Sequence, residues 1–261
     1  MPVVSIRNYC SYVQMAGVLH VLLPSDFFAG APLRASTLFL LAPEGEDGSR
    51  WLRHTQAERL ADRYGIAIVL VSCLQGCYTD MAFGYRFFQS LCKGVPAYLR
   101  RILPAIPLDN GKALIAGASM GGMGAIKWAL AEPERFAAAA SFSGRLDNRE
   151  SFQSPVDGDW LTVKRMINLW GSPDAIPGSD NDLQTLLHKA AHAEAKLPGF
   201  YIAAGSGDAG LPSSRAFAAD PRLRAAWFER EGKQDWGCWA NELERFLQWV
   251  SQKGETGDVA D

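Results

Sequence analysis

The chain has 261 residues, 48% of them apolar and 21% charged, with 26 basic against 28 acidic side chains and a net charge of −2. That length suits one large domain or two small ones, with room for a core that buries most of the surface exposed on unfolding. The near-neutral balance argues against a nucleic-acid or polybasic membrane partner, and no apolar run reaches the roughly 20 residues of a membrane helix. Residues Met1 to Arg7 carry neither the basic flank nor the apolar run of a secretory leader. Five scattered cysteines (Cys10, Cys73, Cys77, Cys92 and Cys238) fit reduced thiols and a cytoplasmic location better than a disulfide frame. The four histidines are His20, His54, His188 and His192.

Along the chain, Val3–Ile6 and Val18–Leu23 read as strands near a sheet edge, followed by the turn-rich Pro24–Asp26. Ser36–Leu41 is a short apolar run that ends at Ala42-Pro43. Thr55–Tyr64 has helical spacing and stops at Gly65, before the β-branched run Ile66–Ser72. Gly84–Leu103 is helical in pattern, with Pro96 expected to kink or divide it. Ala113–Gly117 predicts a third buried strand that runs into a Gly-rich turn and the helix Gly121–Glu132. Ala138–Phe142, Phe200–Ala204 and Arg224–Phe228 complete the expected sheet, and Asn241–Gln252 is a closing amphipathic helix. Residues 145–182, rich in Gly, Pro, Asp and Ser around Trp160 and Trp170, read as a cap-like insertion within a single domain spanning 1–261. The alternation predicts an α/β protein with a mostly parallel central sheet flanked by helices.

The informative motif is Gly117-Ala-Ser119-Met-Gly121-Gly122, a G-x-S-x-G that follows a buried strand and opens a helix. A strand-to-helix turn this sharp forces the serine into a strained backbone conformation. Glycines two before and two after remove the Cβ atoms that would clash. The turn exposes the hydroxyl at the carboxyl edge of the sheet, where the N–H of Met120 is placed to bind a developing oxyanion. A tight turn built for packing alone would use the same glycines.

The chain resembles the esterase D-like serine hydrolases, which include S-formylglutathione hydrolases, small acetyl esterases, feruloyl esterases and mycolyltransferases. The resemblance rests on Trp51–Leu60, on Cys77-Tyr-Thr-Asp80 with Phe83-Gly-Tyr85, on Ala116–Ala125, and on Arg135-Phe136 with Ala140-Ser-Phe-Ser-Gly144. It implies the α/β-hydrolase fold and a triad in the order Ser, Asp, His.

Residue by residue, the resemblance holds for the acid and fails for the base. Phe200–Asp208 is a strand leading through a Gly-rich turn to an aspartate, where the family keeps the carboxylate that orients its histidine; an aspartate capping the turn is the plainer alternative. The family's histidine turn reads Glu231-Gly-Lys-Gln-Asp-Trp236 here, so Gln234 stands in the base position. A glutamine amide has no usable pKa near neutrality and cannot take the serine proton. No histidine follows His192, so a small shift of register does not restore the triad. His54 is the best placed substitute, because it follows the loop expected to form the oxyanion hole.

That loop, Ala42–Gly48, replaces the family's His-Gly with Pro43-Glu44; Pro43 lacks an N–H, which leaves Glu44 as the second oxyanion donor. Glu44, Glu46 and Asp47 are expected to face solvent, since turned inward they would oppose a negative oxygen. Trp51, Tyr78 and Trp236 are candidates to line a substrate pocket, with packing as the alternative. His188 and His192 lie one helical turn apart without a third ligand, Cys73 and Cys77 have no second pair, and Gly205–Gly210 lacks the P-loop lysine. No metal or cofactor is expected. Two functions follow: a hydrolase of short acyl esters, impaired or unorthodox for want of a base, or a non-catalytic relative that binds a small ligand or a protein through the old pocket. The expected partner of the first is a small-molecule ester, and assembly into a homo-oligomer is left open.

Overall fold

Successive residues of each central strand point to opposite faces, and both faces are apolar here. In β3 (Thr37–Leu41), Phe39 and Leu41 pack on one side, and Leu38 and Leu40 on the other. In β4 (Ala67–Val71), Val69 and Val71 face Ile68 and Leu70 across the sheet in the same way. Such strands need helices on both sides. The structure is a computed structural model that describes residues 2–30, 33, 37–72, 74–108, 111–153 and 160–256; Ser36 and Cys73 lie outside the described residues.

Eight strands form one sheet in the order β1-β2-β4-β3-β5-β6-β7-β8. The first two, β1 (Val3–Cys10) and β2 (Met15–Leu22), make an antiparallel hairpin at one edge, longer than the apolar pattern marks. The sheet continues through β5 (Ala113–Ala118), β6 (Phe136–Phe142), β7 (Gly199–Gly205) and β8 (Ala226–Arg230), and from β4 onward neighbouring strands are parallel.

One face is covered by α1 (Ser49–His54), α2 (Ala57–Tyr64) and, from the far end of the chain, the helix α10 (Trp236–Thr256), which places Trp51, Leu60, Leu243 and Phe246 in a common core. The opposite face carries α3 (Phe87–Gln89), α4 (Val95–Ile102), α5 (Met120–Ala131), α6 (Glu150–Gln153), α7 (Trp160–Trp170), α8 (Leu183–His192) and α9 (Leu211–Ala218). The predicted division at Pro96 is present: α4 begins at Val95 with Pro96 in its first turn, directly after a π turn at Ser90–Gly94.

Helix α5 is buried at every position from Met120 to Leu130. It has no polar stripe, which marks a central helix enclosed by its neighbours.

The last helix is fastened by a buried carboxylate. Glu242, 6% exposed, accepts from the Tyr201 hydroxyl, from Arg230 Nε and from an Arg245 guanidinium nitrogen, each at 2.6 Å. Burial, with that carboxylate beside it, raises the Tyr201 hydroxyl well above the usual tyrosine range. Removing one member of such a cluster strands the others without partners. Glu242→Ala is therefore expected to lower stability by about 3 kcal/mol, measured by chemical denaturation, whereas exposed Glu244→Ala changes it by less than about 1 kcal/mol.

Candidate active site

The turn between β5 and α5 is as sharp as the motif requires. Ser119 has φ +53° and ψ −122°, a left-handed conformation that costs a non-glycine residue on the order of 1–3 kcal/mol. Three backbone hydrogen bonds hold it. The Ser119 N–H donates to Phe142 O at 2.9 Å, and Ser119 O accepts from Gly122 at 2.9 Å and Met123 at 3.2 Å. A Cβ at Gly121 would stand 2.5 and 2.6 Å from the carbonyl oxygens of Leu41 and Ala42, and one at Gly117 would overlap the Gly121 carbonyl. The glycines thus admit the backbone of the oxyanion loop against the helix start. Ser119 is partly exposed, and the N–H of Met120, in the first turn of α5, lies where a helix has no internal acceptor for it.

The facing loop is held by its own backbone and by one tyrosine. Ala42 N–H donates to Val71 O at 2.9 Å, and the buried Tyr78 hydroxyl lies 3.0 Å from Ala42 O and 3.1 Å from Val71 O. Gly45 N–H donates to Leu74 O, and Gly48 N–H to the Ser72 hydroxyl. Among the described residues, the Glu44 N–H has no backbone acceptor. Asp47 is exposed as expected, whereas Glu44 and Glu46 are only partly exposed and ion-paired. Glu44 pairs with Arg165 of α7, Glu46 with Arg50 at 2.7 Å, and Asp47 accepts from Ser49 N–H at 2.7 Å. Hydrogen bonding from Ser49 holds Asp47 below the ordinary carboxylate range.

Asp208 follows β7 and is 7% exposed. Its Oδ2 accepts from Gly205 N–H at 2.7 Å, while its buried Oδ1 has no hydrogen-bond partner among the described residues. The turn is tied to the segment that follows β8: Ser206 N–H donates to Arg230 O at 2.7 Å and Gly207 N–H to Gly232 O at 2.8 Å. A Cβ at Gly205 would lie 2.7 Å from Gly232 O and 3.1 Å from Asp208 Oδ1, so that oxygen borders the turn carrying Gln234. Gln234 itself is exposed. Ser119 and Gly205 stand at the carboxyl ends of β5 and β7 with β6 between them, two strand spacings or about 10 Å apart. A carboxylate does not span that gap unaided.

No histidine fills it. His20 pairs with the Ser5 hydroxyl at 2.9 Å on the distant hairpin. His188 and His192 are exposed on α8 with ring centroids 6.3 Å apart, and the described residues hold no cluster suited to a metal. His54 is exposed and stacks on Trp236 at 4.9 Å and 19°, beside the Gln234 turn. No hydrogen bond joins it to Ser119 or Asp208 among the described residues. Trp51 and Tyr78, expected beside a substrate, are packing residues at 0% and 2% exposure. Trp51 meets Trp236 edge-on at 5.1 Å, and Trp236 meets Trp239 at 5.2 Å, so only the half-buried Trp236 retains an accessible face. Arg165 was not foreseen, because nothing in the 145–182 composition singles out one arginine.

The chain is similar to several known proteins. An "Acetyl esterase" of Caldicellulosiruptor saccharolyticus is 25% identical over 222 residues, covering 83% of each chain. The substrate-bound fluorophosphonate-binding serine hydrolase F of Staphylococcus aureus superposes with a TM-score of 0.81 at 23% identity, over 100% of this chain and 99% of that one. The S-formylglutathione hydrolase of the same organism gives 0.81 at 24% identity, over 95% and 98%. These structural likenesses carry the α/β serine-hydrolase fold. The model of the family described as "Putative esterase" matches residues 19–249, nearly the whole chain, and the protein belongs to that esterase family.

Proposed function

We propose that the protein is a serine carboxylic-ester hydrolase for short acyl esters whose base position is occupied by Gln234. The observation that carries this reading is Ser119 itself, kept at φ +53° at the head of a buried helix. Strain of this kind persists only where surrounding structure enforces it, and an exposed hydroxyl above two N–H groups is what acyl transfer needs. The acetyl esterase and S-formylglutathione hydrolase likenesses support a short acyl group and a small-molecule ester as partner. The buried thiols of Cys10 and Cys92, neither in a disulfide, support a reducing, cytoplasmic setting.

In the proposed reaction Ser119 Oγ attacks the acyl carbonyl, and the oxygen that becomes negative is held by Met120 N–H and Glu44 N–H. The alcohol then leaves, and water releases the acyl group from the serine. In an intact triad the imidazole carries the serine proton to the leaving oxygen, and Asp208 would steady the imidazolium. Gln234 cannot accept that proton, so water must, and both steps are slow. Loss of the base in a comparable serine hydrolase costs about 10⁶ in kcat and leaves roughly 10³–10⁴ over the uncatalysed rate. The unpartnered Asp208 Oδ1 and the exposed Gln234 favour a second reading, a non-catalytic protein that binds a ligand through this pocket.

A short p-nitrophenyl ester separates the two. The wild type is expected to turn over slowly and to lose activity in Ser119→Ala. Gln234→His is expected to raise kcat by at least about 100-fold, with a rate that climbs as pH passes the ordinary imidazole pKa of about 6.5. No gain in Gln234→His would favour the binding reading, and fast wild-type turnover would show that another group serves as base. A further expectation concerns Glu44. Removing its partner leaves a carboxylate beside the oxyanion donors, so Arg165→Ala should lower kcat of the Gln234→His variant about tenfold. Adding Glu44→Gln should restore it.

A further inference from the structure

Lys127 is the single charged residue of α5, two turns beyond Ser119, and it is 1% exposed. Its Nζ donates to Thr79 Oγ1 at 3.1 Å and Asn181 Oδ1 at 2.7 Å, and stands 4.5 Å from the centre of the Phe88 ring. Two hydroxyl or amide oxygens and one aromatic face thus receive an ammonium with three N–H bonds. Among the described residues, no carboxylate pairs with it. The titratable groups around it are Asp80, Asp180 and the Cys92 thiol. Asp80 is taken by the backbone and side-chain amides of Gln89 at 3.0 and 2.9 Å, and Asp180 by Lys189 at 2.9 Å. Burial outweighs both carboxylates and lowers the amine to about 8.

A buried cation with neutral partners is an expensive way to fill a core. Packing does not require it either, because Thr79 Oγ1 also donates to Asn181 Oδ1 at 2.8 Å, so these two satisfy each other without the lysine. What the lysine joins is more telling. Thr79 follows Tyr78, the residue whose hydroxyl lies between the Ala42 and Val71 carbonyls at the root of the Glu44 loop. The Tyr78 ring lies flat on the same helix, where a Cβ at Gly124 would come within 2.7 Å of it. Gly124 and Lys127 are one turn apart on one helix face, so Tyr78 and Thr79 grip α5 at two successive points. The grip holds Cys77 and Tyr78 at φ +42° and +51°. Asn181 belongs to the insertion, and its carbonyl accepts from Asn148 Nδ2 at 2.8 Å.

We propose that Lys127 is a positioning residue: one buried amine aligns the Glu44 side of the oxyanion hole and the 145–182 insertion on the helix that presents Ser119. The proposal rests on the esterase reading for its purpose, and on the geometry alone for the alignment. It separates stability from reactivity. The amine is held below its unfolded value of about 10.5, so stability rises with pH between about 8 and 10.5, and below 8 the full cost of the buried charge is present. Alignment runs the other way: the neutral amine keeps two donors and loses the third contact, on Phe88.

The test is the rate at which a fluorophosphonate probe labels Ser119 in the full chain, followed with the melting temperature from pH 6.5 to 10. Lys127→Met is expected to melt no lower than wild type at pH 7 and to label at least tenfold more slowly. The wild-type advantage should shrink as pH rises from 7 to 9.5. Thr79→Val should slow labelling similarly, and Thr79→Ser, which keeps the hydroxyl, should restore it to within twofold. A Lys127→Met protein that labels at the wild-type rate at every pH overturns the proposal. If the wild type is not labelled at Ser119, the esterase reading fails, and amide hydrogen exchange decides the alignment. Tyr78–Asp80 and Asn181 should then exchange at least tenfold faster in Lys127→Met, and unchanged protection overturns it.

Discussion

The left-handed backbone at Ser119 is the constraint around which the rest of the molecule is arranged. A strand cannot turn into a helix within one residue unless that residue accepts a positive φ and its neighbours lose their side chains. Gly117 and Gly121 meet the second condition, and the second of them lets the Leu41 and Ala42 carbonyls approach the helix start. The first condition is sustained by packing. Helix α5 is enclosed on all sides, and the Ser119 amide and carbonyl are both bonded, so relaxing the turn would mean moving the central helix of the fold. Strain in one residue is thereby offset by the burial of eleven.

From that turn the parts of the proposed acyl-transfer site are laid out by strand spacing. The Glu44 loop leaves β3, the immediate neighbour of β5, and Asp208 leaves β7, two strands away on the other side. The first distance suits a backbone donor and the second leaves room for an imidazole. The buried Oδ1 of Asp208, without a hydrogen-bond partner among the described residues, supports placing the acid of the proposed site there. Gln234 is exposed and makes no hydrogen bond to Asp208 among the described residues.

Much of this was legible in the sequence, and the unreadable remainder has a common physical cause. The runs that became β3 through β7 are short, apolar on both faces and bounded by turn residues, so local pattern sufficed. The Ser119 elbow declared itself through glycine spacing, while the base position proposed for Gln234 rests on the register of Trp236 and Trp239 alone. Helix α9 is not marked by periodicity, because Pro212, Ser213 and Ser214 interrupt its apolar pattern, and the π turn beside Pro96 is invisible to a 3.6-residue pattern. Trp51 and Tyr78 were assigned to a pocket on residue type alone. Their burial is set by α10 and α5, elements distant in the chain. The partners of Glu44 and Lys127 come from residues 165 and 181, and no local pattern reports contacts so distant in the chain. Lys127 did carry a signal, as a lone charge in an otherwise apolar helix.

The central claim is that nucleophile and oxyanion donors are assembled while proton transfer is not. An activated ester, whose leaving group needs no proton, isolates the first from the second. Intact-protein and peptide mass spectrometry after exposure to p-nitrophenyl acetate measures this directly. One acetyl group should accumulate on Ser119 and persist, since its hydrolysis needs the missing base. Absence of acetyl from Ser119, or rapid turnover with none accumulating, would contradict the account.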